Sequence, residues 1–545
     1  MNNDWKQRKS APIRYSKSRD VVSMLLRSRG IDDGDFLDPP VNVLHDPLLM
    51  LNIELAADII TTAVVEGRKI AVSCDCDSDG IFSTAFMVRY LRGLTDKVYI
   101  VYAQRSMGHG IEYQMDMIDP DTDLLIILDS SSNSIEACKE LSERGIDVII
   151  LDHHDIEHEN DSAVIVNPKQ PNCQYPNKGL SGVGVVYKMV QVLDETFGTG
   201  EVEDYIDLVA CGMYADMMPV NILENRHLII QGLRNIKNTG LRAILESENI
   251  DLKRVNSQTI GFKISPLING VARMDQIELA LDLLLSDNFG ECMLLVKDMK
   301  KLNEERKRIE IELFDQYINQ ANINDKVIII TDKDARKNFN GLVANKIADK
   351  FSRPAMVLRE HEGKLTGSYR SYADFNLRSF LKKHCSDLIH YAEGHEPAGG
   401  VSLNIEDLQR LKDRLNELLA NEKFDSSLWY DFEIEASQVT LELIRNIETF
   451  DFLTGEGFPT SKVVVKGLMV EEEPKILGKN EDTVKIACDG MDAIKFKTKS
   501  DWGSDIEPFD RINVLGQLVV NEWSTRGGKL FISNQIIADE FVITS

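Results

Sequence analysis

Short apolar runs alternate with stretches of helical periodicity from about residue 69 onward. The strand-like runs are Lys69–Ser73, Val98–Ala103, Leu124–Leu128 and Asp147–Leu151. The helical stretches between them are Ile81–Leu94 and Ser134–Arg144. Strands and helices in alternation are typical of an α/β domain, so the pattern predicts a parallel sheet covered by helices.

A long helix and a second α/β unit follow this first domain. Apolar residues recur at the helical period in Leu295, Met299, Leu302, Ile309, Leu313 and Tyr317. This spacing predicts one helix that joins two lobes. The second lobe has predicted strands at Val327–Thr331 and Ala355–Leu358 and a predicted helix at Leu342–Phe351.

The last part of the chain changes to strand-like segments separated by Gly and Asp. These segments are Lys462–Val470, Thr483–Cys488, Asp492–Lys499, Arg511–Val520 and Leu530–Ile537. Five short strands predict a small β-barrel. The sequence from Trp523 to Gly528 supplies turn residues for its last hairpin.

A chain of 545 residues is long enough for several packed units. We predict five regions: a mainly helical N-terminal region 1–68 that precedes the sheet, a first α/β domain 69–235, a helical connector 236–320, a second α/β domain 321–425, and a linker with the barrel 426–545. The predicted fold class is α/β, with two lobes joined by the long helix and followed by the barrel.

Composition narrows the choice of partners and compartment. Apolar residues make up 43% of the chain, as in globular proteins, and the net charge is −26. Because the average field of such a chain repels nucleic acid, a nucleic-acid partner needs a local basic groove. The apolar runs are too short to span a bilayer and no signal-peptide core follows the N-terminus, so we expect a cytoplasmic protein without membrane contact.

The eight cysteines form no metal-binding pattern in the sequence. They stand at 74, 76, 138, 173, 211, 292, 385 and 488, without a Cys-x-x-Cys pair. Free thiols in a reducing compartment are the expected state. Cys74 and Cys76 are expected to be small buried fillers rather than ligands of a structural zinc ion.

Three carboxylates alternate in the run Asp75-Cys76-Asp77-Ser78-Asp79-Gly80, where a predicted strand ends. Such crowding is repulsive unless a cation neutralises it, and oxygen ligands suit Mg²⁺ or Mn²⁺. By itself the run also fits a calcium loop or a solvated turn. The EF-hand pattern fails because no Glu closes the loop at the required spacing.

Further acidic residues and a histidine pair stand at other strand ends. Asp129 follows Leu124–Leu128, Asp152-His153-His154 follows Val148–Leu151, and Asp216 stands before Met217-Met218-Pro219. An isolated Asp is usually a helix cap, but this explanation does not apply to a histidine pair at a strand end. Imidazole together with several carboxylates favours Mn²⁺, and such a set can hold two ions that hydrolyse phosphate esters.

At these residues the sequence resembles the DHH phosphoesterase superfamily, and most closely its RecJ-like exonucleases specific for single-stranded DNA. The motif matches are Asp75–Ser83, Leu128-Asp129, Asp152-His153-His154 and Asp216. Segments in the same order as in RecJ are Asn167-Pro168, 180–185, Glu224-Asn225-Arg226, 266–273, 368–371 and 394–400. The resemblance implies a parallel-sheet DHH lobe, a smaller DHH-associated lobe and a C-terminal OB-like barrel.

The resemblance also implies roles for these residues around two divalent cations, Mn²⁺ or Mg²⁺. Asp129 is expected to bridge the ions. Asp79, His153 and Asp216 are expected to bind one ion, and Asp75 and Asp77 the other. His154 is expected to face the scissile phosphate, with Asp152 orienting the histidine pair.

A phosphate pocket is implied by the same resemblance. Arg105, Ser368 and Arg370 match the pocket for the 5′-terminal phosphate, and the arginine fork suits phosphate oxygens. Arg273 is expected to touch the strand, and His395 to contact a phosphate near the reaction.

Some positions depart from the family pattern without loss of a ligand. The Cys-Gly that usually follows the second-motif Asp is replaced by Ser130-Ser131-Ser132. Gly-Gly-His is replaced by Glu393-Gly394-His395, and Ala-Ala-Gly by Ala398-Gly399-Gly400. Glu393 places a carboxylate near the expected phosphate track, which bears on substrate detail rather than on catalysis.

Lys495, Lys497 and Lys499 alternate along one predicted strand of the barrel and are expected to share a face. Such a stripe fits the single-strand-binding face of an OB-fold, with Trp523 as a stacking candidate. A merely solvated strand face explains the stripe equally well.

These features predict a monomeric, metal-dependent 5′→3′ exonuclease of single-stranded DNA in recombination, repair or replication. Single-strand-binding or other repair proteins are the expected partners. The alternatives are a DHH phosphodiesterase of short RNAs or cyclic dinucleotides, and a non-catalytic replication scaffold. The N-terminal region and barrel count against the first alternative, and the complete Asp/His set counts against the second.

Overall fold

The computed structural model describes residues 5–8, 21–32, 34–424, 427–478, 481–499, 501–524 and 530–544. The chain divides into two compact units. The larger unit comprises residues 45–218 and 231–426, and the smaller unit comprises 1–44, 219–230 and 427–545. The first 44 residues therefore group with the C-terminal part of the chain rather than leading into the first sheet, as we had expected of the N-terminal region.

In the N-terminal part of the smaller unit, the described residues include strand β1 (Trp5–Gln7) and helix α1 (Val21–Ser28). Helix α1 buries Val21, Leu25 and Leu26, which follow the spacing of one helical face.

The larger unit begins with a five-stranded parallel sheet. Its elements are α2 (Ile53–Val65), β2 (Ile70–Cys74), α3 (Ser78–Leu94), β3 (Val98–Tyr102), β4 (Leu124–Leu128), α4 (Ile135–Glu143), β5 (Asp147–Leu151) and β6 (Val164–Val166). The strand order is β3-β2-β4-β5-β6, and every pairing is parallel. Strands β2 and β4 are buried at all five positions, as expected for a sheet with helices on both faces. The predicted parallel sheet is confirmed.

The order of these strands fixes where a ligand can bind. Strand β3 lies on one side of β2, whereas β4 lies on the other side, so the chain changes direction across the sheet at this point. In open α/β sheets such a switch leaves a crevice at the carboxyl ends of the two strands.

Helices follow the first sheet. They are α5 (Gly182–Phe197), α6 (Ile206–Ala215), α7 (Leu223–Arg234), α8 (Thr239–Ser247), α9 (Ser257–Thr259), α10 (Ser265–Arg273), α11 (Ile277–Leu285) and α12 (Phe289–Ile318). A π-helical turn at Ile260–Ile264 joins α9 to α10. Helix α12 has 30 residues and buries Cys292, Val296, Met299 and Tyr317 along one side, which confirms the long helix.

The second sheet of the larger unit is mixed. Its elements are β7 (Ile328–Asp332), α13 (Lys337–Phe351), β8 (Ala355–His361), β9 (Lys364–Arg370), α14 (Leu377–His384), β10 (Tyr391–Gly394), β11 (Ala398–Asn404) and α15 (Leu408–Leu418). The order is β10-β11-β9-β8-β7, and only β7 and β8 run parallel. Successive residues of β8 face opposite cores: Ala355 and Val357 pack with α13, whereas Met356 and Leu358 pack with α14 and α15.

The C-terminal part of the smaller unit is a β-barrel. Its elements are β12 (Leu428–Tyr430), β13 (Phe432–Glu435), α16 (Leu441–Phe450), β14 (Val463–Met469), β15 (Lys475–Leu477), β16 (Thr483–Cys488), β17 (Met491–Phe496), β18 (Arg511–Ser524) and β19 (Leu530–Ile543). The strand order is β13-β14-β18-β19-β17-β16-β15. A bridge between Val470 and Cys488 joins the end of β14 to β16 and closes a ring of five strands. These five are the predicted barrel strands; β13 and β15 were not predicted.

The expected lysine stripe of the barrel is wrong as a strand feature. Strand β17 ends at Phe496, so only Lys495 belongs to it. Lys497 has a left-handed backbone with φ of 52°, and Lys499 lies further along the loop. Because the strand period is broken at Lys497, the three lysines do not share a strand face.

Shorter helical turns connect the main elements. The 3₁₀ turns are Val41–Val43, Pro47–Leu49, Ile111–Tyr113, Met115–Met117, Val202–Tyr205, Leu252–Arg254, Ile405–Asp407 and Ala436–Gln438. Within the described ranges no single helix is long and apolar enough to cross a membrane, although the bent pair Val41–Leu49 and Ile53–Val65 together passes that test of length and composition.

Candidate active site

Acidic residues and histidines converge where the strands of the first sheet end. Asp75 and Asp77 follow β2, Asp129 follows β4, Asp152-His153-His154 follow β5, and Asp216 directly follows α6. Because β2, β4 and β5 are parallel neighbours, their carboxyl ends meet at one edge. The structure therefore brings together all the metal ligands expected from the sequence.

The ligand atoms form overlapping groups of three. One group is Asp79, His153 and Asp216, a second is Asp75, Asp77 and Asp129, and a third is Asp129, His153 and His154. Within each group the ligand atoms lie within 4.8 Å of one another. Asp129 belongs both to the group with Asp75 and Asp77 and to the group with His153 and His154. This is the arrangement required of a carboxylate between two ions.

Several of these atoms are buried without a hydrogen-bond partner. They are Asp75 Oδ1, Asp129 Oδ1, His153 Nε2 and Asp216 Oδ2. His153 Nε2 lies 3.2 Å from Asp129 Oδ1 and 3.4 Å from Asp216 Oδ2. Burying polar atoms without partners is costly, and a cation among these atoms would satisfy all of them. The residues present thus fit a divalent-cation centre with mixed nitrogen and oxygen ligands.

The pKa shifts of these residues also indicate a cation site. Burial, and then the charge of Asp77, raise the pKa of Asp79 to about 7. Burial, and then the charge of Asp79, raise the pKa values of Asp129 and Asp216 well above the usual range of a carboxyl. Burial lowers the pKa of His153 well below its usual value, which leaves the ring neutral and able to bind a metal. The cluster therefore has excess negative charge that a cation would neutralise.

Asp79 is held by the first turn of helix α5. Its carboxylate accepts hydrogen bonds from the Ser181 hydroxyl at 3.0 Å, the Gly182 amide at 2.6 Å and the Val183 amide at 3.3 Å. The positive end of the helix stabilises the negative charge. Asp79 is therefore held in one orientation before any ion binds.

Two glycines leave room for the carboxylates. A Cβ atom on Gly182 would lie 2.5 Å from Asp129 Oδ1, and one on Gly212 would lie 2.7 Å from Asp79 Oδ1. Asp129 itself has a left-handed backbone with φ of 57°, a conformation that is uncommon for residues other than glycine but tolerated by Asp. Close approach of backbone and carboxylate is thus built into the site.

Asp152 fixes the histidine loop rather than the ring of His153. Its Oδ1 accepts from the amides of His153 at 2.7 Å and His154 at 3.1 Å, and lies 2.8 Å from His154 Nδ1. Its Oδ2 accepts from the Ser132 hydroxyl at 2.6 Å. Despite the opposing effect of burial, Asp152 raises the pKa of His154 to about 10, so this ring is charged.

His395 reaches the same centre from the loop between β10 and β11. Its Nε2 lies 3.8 Å from Asp216 Oδ1, and its ring centre is 6.3 Å from that of His154. Burial and the charge of His154 lower the pKa of His395, which favours a neutral ring. The structure therefore places His395 beside the metal ligands, where the sequence predicted a phosphate contact.

Arginines gather next to this centre within the larger unit. Burial, and then the charges of Arg105 and Arg370, lower the pKa of Arg273 well below its usual value. Burial also lowers the pKa of Arg370 to about 10. Each of the three guanidinium groups donates to a neutral backbone carbonyl: Arg105 to Cys76, Arg273 to Asn338 and Arg370 to Tyr369. Because like charges repel, an anion among these three half-buried guanidinium groups is favoured.

The backbone supports this basic cluster. Ser368 and Arg370 stand two residues apart on β9 and share a face of the strand. A Cβ atom on Gly341 would lie 2.4 Å from Arg370 Nη2, so the glycine leaves the space that the guanidinium occupies. The residues predicted for the 5′-phosphate pocket thus form a preformed basic site.

The residues of the barrel that the sequence predicted to bind DNA differ in their surroundings. Lys495 donates to the backbone carbonyl of Asp539 at 2.6 Å and lies over the Trp502 ring, 5.0 Å from its centre. Lys497 and Lys499 are exposed. The side chain of Trp523 and residues 525–529 lie outside the described residues. Lys495 is therefore a structural contact of the barrel, whereas the two following lysines face solvent.

Sequence reasoning missed several residues that complete the site. Asn167 donates to the Ser132 hydroxyl at 3.2 Å and to the His154 carbonyl at 2.9 Å. Asn338 donates to the Arg273 carbonyl and to Asp275. His109 lies 3.1 Å from Asp75 Oδ2. The available signal was local for His109, which stands between two glycines, and for Asn167, which lies in a quoted motif.

Taken together, a parallel sheet with a divalent-cation centre and an adjoining phosphate-binding cluster defines a metal-dependent phosphoesterase. Family models match the DHH family N-terminal domain at residues 69–213, the DHHA1 domain at 324–421 and the RecJ OB domain at 430–529. The chain belongs to the DHH family and has the domain order of RecJ-like proteins.

Individual relatives agree with this assignment. The single-stranded-DNA-specific exonuclease RecJ of Bacillus subtilis is 32% identical over 93% of this chain and 66% of its own length. The putative SPbeta prophage-derived exonuclease YorK of the same species is 29% identical over 92% and 93%. The structure of RecJ from Thermus thermophilus in complex with Mn²⁺ aligns with a TM-score of 0.78 and 25% identity over 100% of this chain and 80% of that chain.

The share of the relative's length that the chain covers differs between these two Bacillus subtilis proteins. The chain spans slightly less than two thirds of the Bacillus subtilis RecJ but nearly all of YorK. The comparisons favour the exonuclease over the short-RNA phosphodiesterase and the non-catalytic scaffold that the sequence left open.

Proposed function

We propose that the chain is a metal-dependent exonuclease that removes nucleotides from the 5′ end of single-stranded DNA. The observation that carries the proposal is the adjoining pair of sites in the larger unit. One site has buried ligand atoms without partners, and the other has three half-buried arginines whose guanidinium groups donate to backbone carbonyls. The names of the RecJ relatives support the choice of single-stranded DNA as substrate.

We assign the ligands of two cations, Mn²⁺ or Mg²⁺, from the three groups of ligand atoms. Asp79, His153 and Asp216 would hold one ion, Asp75 and Asp77 the other, and Asp129 both. When bound, such ions lower the pKa of water and neutralise the attacked phosphate. The neutral ring of His153 suits a ligand role, since a protonated imidazole cannot bind a metal.

His154 would contact the scissile phosphate as a charged donor. Its Nδ1 is taken by Asp152, so Nε2 is the ring nitrogen left for the substrate. The side chain is half exposed, in contrast to the buried ring of His153. Asp152 keeps the ring charged and fixes its orientation, a role that carboxylates commonly have beside catalytic imidazoles.

Polarity would come from the basic site formed by Arg105, Ser368 and Arg370. A terminal 5′-phosphate carries more negative charge than an internal diester, and two arginine forks can bind it through several charge-assisted hydrogen bonds. Arg273 would contact the same strand. Binding of the terminus beside the metal centre explains both the need for a free end and cleavage from the 5′ side.

Digestion of end-labelled substrates tests the proposal. The full chain is incubated with single-stranded DNA labelled at the 5′ or the 3′ end, with duplex DNA and with short RNA, in Mn²⁺ or Mg²⁺. We expect immediate release of mononucleotide label from the 5′-labelled single strand and a slow, late release from the 3′-labelled one. Preference for short RNA, or equal release from both ends, would contradict the proposal.

Partner proteins, oligomeric state and compartment are separate predictions. A monomer that associates with single-strand-binding or other repair proteins in the cytoplasm is expected. Sedimentation of the purified chain, alone and with a single-strand-binding protein, would test the first two points.

A further inference from the structure

A second kind of ligand group adjoins the metal centre at Asp75. Asp75, Cys76 and His109 offer one oxygen, one sulfur and one nitrogen, all within 4.8 Å of one another. His109 Nδ1 lies 3.1 Å from Asp75 Oδ2 and 3.4 Å from Cys76 Sγ. Cys76 and His109 have no place in the ligand sets assigned above, so the mechanism does not explain this convergence.

The two distances from His109 Nδ1 to the other ligand atoms are close to the edges of a tetrahedral zinc site. With Zn–N, Zn–O and Zn–S bonds of about 2.0, 2.0 and 2.3 Å, the edges of a tetrahedron are about 3.3 Å for N···O and about 3.5 Å for N···S. The observed separations, 3.1 and 3.4 Å, are each shorter by only a small fraction of a bond length. These two edges therefore already have nearly the length that a bound zinc ion requires.

The backbone around the three residues is already fixed. Asp77 accepts from the Gly80 amide and begins helix α3, which holds the preceding Cys76 in place. Arg105 donates to the Cys76 carbonyl at 3.1 Å. Gly108 and Gly110 both have positive φ, 151° and 92°, and turn the loop so that His109 points back to Asp75.

The two neighbouring cysteines differ in their surroundings. The thiol of Cys74 contacts the backbone carbonyls of Asp75 and Gly80, as a buried filler does. The thiol of Cys76 also lies 3.8 Å from a backbone carbonyl, that of Gly108, but it additionally faces the His109 ring, whose side chain is 49% exposed and leaves an entry from solvent. Both cysteines are buried, as expected, but only Cys76 has a histidine ring nitrogen within reach of its sulfur.

We propose that Asp75, Cys76 and His109 form a third cation site that takes Zn²⁺ and leaves one coordination position open. Thiolate and imidazole favour Zn²⁺, whereas the neighbouring carboxylate groups suit Mn²⁺ or Mg²⁺. Asp75 Oδ1 is buried and without a hydrogen-bond partner, so the carboxylate has free capacity for an ion. On binding, the thiol proton and the proton shared by His109 and Asp75 pass to solvent.

Sharing of Asp75 links the zinc site to catalysis. Asp75 also belongs to the group with Asp77 and Asp129, so zinc on Asp75 weakens that ligand for the second catalytic ion. This consequence rests on the proposed function: Zn²⁺ should then slow the Mn²⁺-activated nuclease. The zinc site itself does not depend on the nature of the substrate.

Cobalt substitution tests the site without any activity measurement. Full-length protein freed of metal is saturated with Mn²⁺ and titrated with Co²⁺, which gives a charge-transfer absorption band only when a thiolate is bound. We expect this band at one Co²⁺ per chain and its loss when one equivalent of Zn²⁺ is added. Cys76→Ser should abolish the band, whereas Cys173→Ser, which removes the one cysteine that is not buried, should keep it.

His109→Gln provides a second variant that leaves all cysteines in place. It should require more than about 100-fold higher Co²⁺ for the same absorption, since removal of an outer partner of a metal ligand already costs about 10- to 100-fold. Absence of the band in the wild type, or its persistence in Cys76→Ser, would overturn the proposal. Cys76→Ser counts as a folded variant only if Mn²⁺ stabilises it as it does the wild type. If it does not, the Co²⁺ titration of His109→Gln decides between the two outcomes.

Nuclease assays address the link separately. With Mn²⁺ saturating, one equivalent of Zn²⁺ should slow cleavage by the wild type and leave His109→Gln nearly unaffected. A cobalt band without zinc inhibition would refute the sharing of Asp75. A chain that shows the band but cleaves no DNA would refute the proposed function and leave the zinc site standing.

Discussion

His153 Nε2 lies 3.2 Å from Asp129 Oδ1, and neither atom has a hydrogen-bond partner. Burial keeps the imidazole neutral by lowering its pKa, so no imidazolium charge offsets the carboxylate. Two buried polar atoms in this relationship are unfavourable by themselves. The arrangement is therefore stable only when an ion or protons are bound.

Replacing Asp129 by Asn should abolish hydrolysis and stabilise the chelated protein. Asn tolerates the left-handed backbone at this position, so the change removes charge without new strain. We expect turnover to fall by more than about 100-fold, because the carboxylate shared by both ions is lost. The melting temperature in EDTA should rise because one of several mutually repelling carboxylates is gone.

Asp116→Asn is the matched control for this variant. Asp116 is exposed on a 3₁₀ turn of the same unit and should change neither quantity. Turnover of Asp129→Asn within tenfold of the wild type would refute the bridging assignment.

The metal-free protein should lose stability as the pH rises through the neutral range. The pKa of Asp79 is raised from 3.8 in the unfolded reference to about 7, so its contribution is fully present below about pH 4 and is lost as the pH rises through about 7. Asp129 and Asp216 have pKa values shifted in the same direction. The pKa of Asp152 is lowered instead, and its contribution does not change above about pH 4.

Mn²⁺ should reverse this trend, because the ion binds the ionised carboxylates. Thermal melts at about pH 5 and about pH 7, with EDTA or with Mn²⁺, measure the effect. We expect the gain in melting temperature from Mn²⁺ to be larger at the higher pH. Equal gains at both pH values would show that the cluster does not bind the ion through these carboxylates.

Gly182→Ala should weaken metal binding while leaving the helix intact. The new Cβ would lie 2.5 to 2.7 Å from three atoms of Asp129, so the carboxylate must move. Gly184→Ala is the control on the same helix, where the new Cβ would meet only the flexible Leu180 side chain at 3.0 Å. Both changes raise helix propensity equally. Mn²⁺ titration followed by calorimetry should show weaker binding for the first variant only.

Arg370→Ala should act on the 5′ end rather than on the chain as a whole. Hydrogen bonds to charged groups contribute about 1.5–3 kcal/mol, so we expect a loss of about 10- to 100-fold in kcat/KM on substrates with a 5′-phosphate. Substrates with a 5′-hydroxyl should change little. Arg359→Ala, an exposed arginine on the neighbouring strand β8, is the control. Equal slowing of both substrates would make Arg370 a general backbone contact.

Local patterns predicted the buried sheet well and the edges of the barrel poorly. Strands β4 and β5 were predicted to the residue because each is a continuous apolar run bounded by Asp. Strand β15 is exposed at all three positions and has no burial pattern to detect. Strand β1 pairs with β12, more than 400 residues away, and no local periodicity reports such a contact.

The residues of the candidate site also divide into those that local motifs predicted and those that only the packed fold brings together. The metal ligands were found because they stand in short motifs at the ends of predictable strands. The contacts of His109 with Asp75 and of Ser132 with Asp152 join segments 34 and 20 residues apart, and only the packed sheet brings them together. The lysine stripe failed because one backbone torsion, at Lys497, ends the strand three residues early.

The exposed lysines of the barrel provide the last prediction. Lys497 and Lys499 face solvent beyond the end of β17, whereas Lys466 and Lys475 are ion-paired with Glu433 and Glu472 in the same unit. Each lysine that neutralises a phosphate of a single strand contributes about 0.7 to the slope of log K against log salt. The double variant Lys497→Glu/Lys499→Glu should therefore weaken binding to long single strands and lower the slope by about 1.4. The double variant Lys466→Glu/Lys475→Glu changes the net charge equally, but its lysines are already neutralised by protein carboxylates, so the slope should stay near that of the wild type. Fluorescence anisotropy across a salt series measures both slopes, and equal slopes for the two double variants would show that only net charge matters and that the barrel has no specific basic groove at these residues.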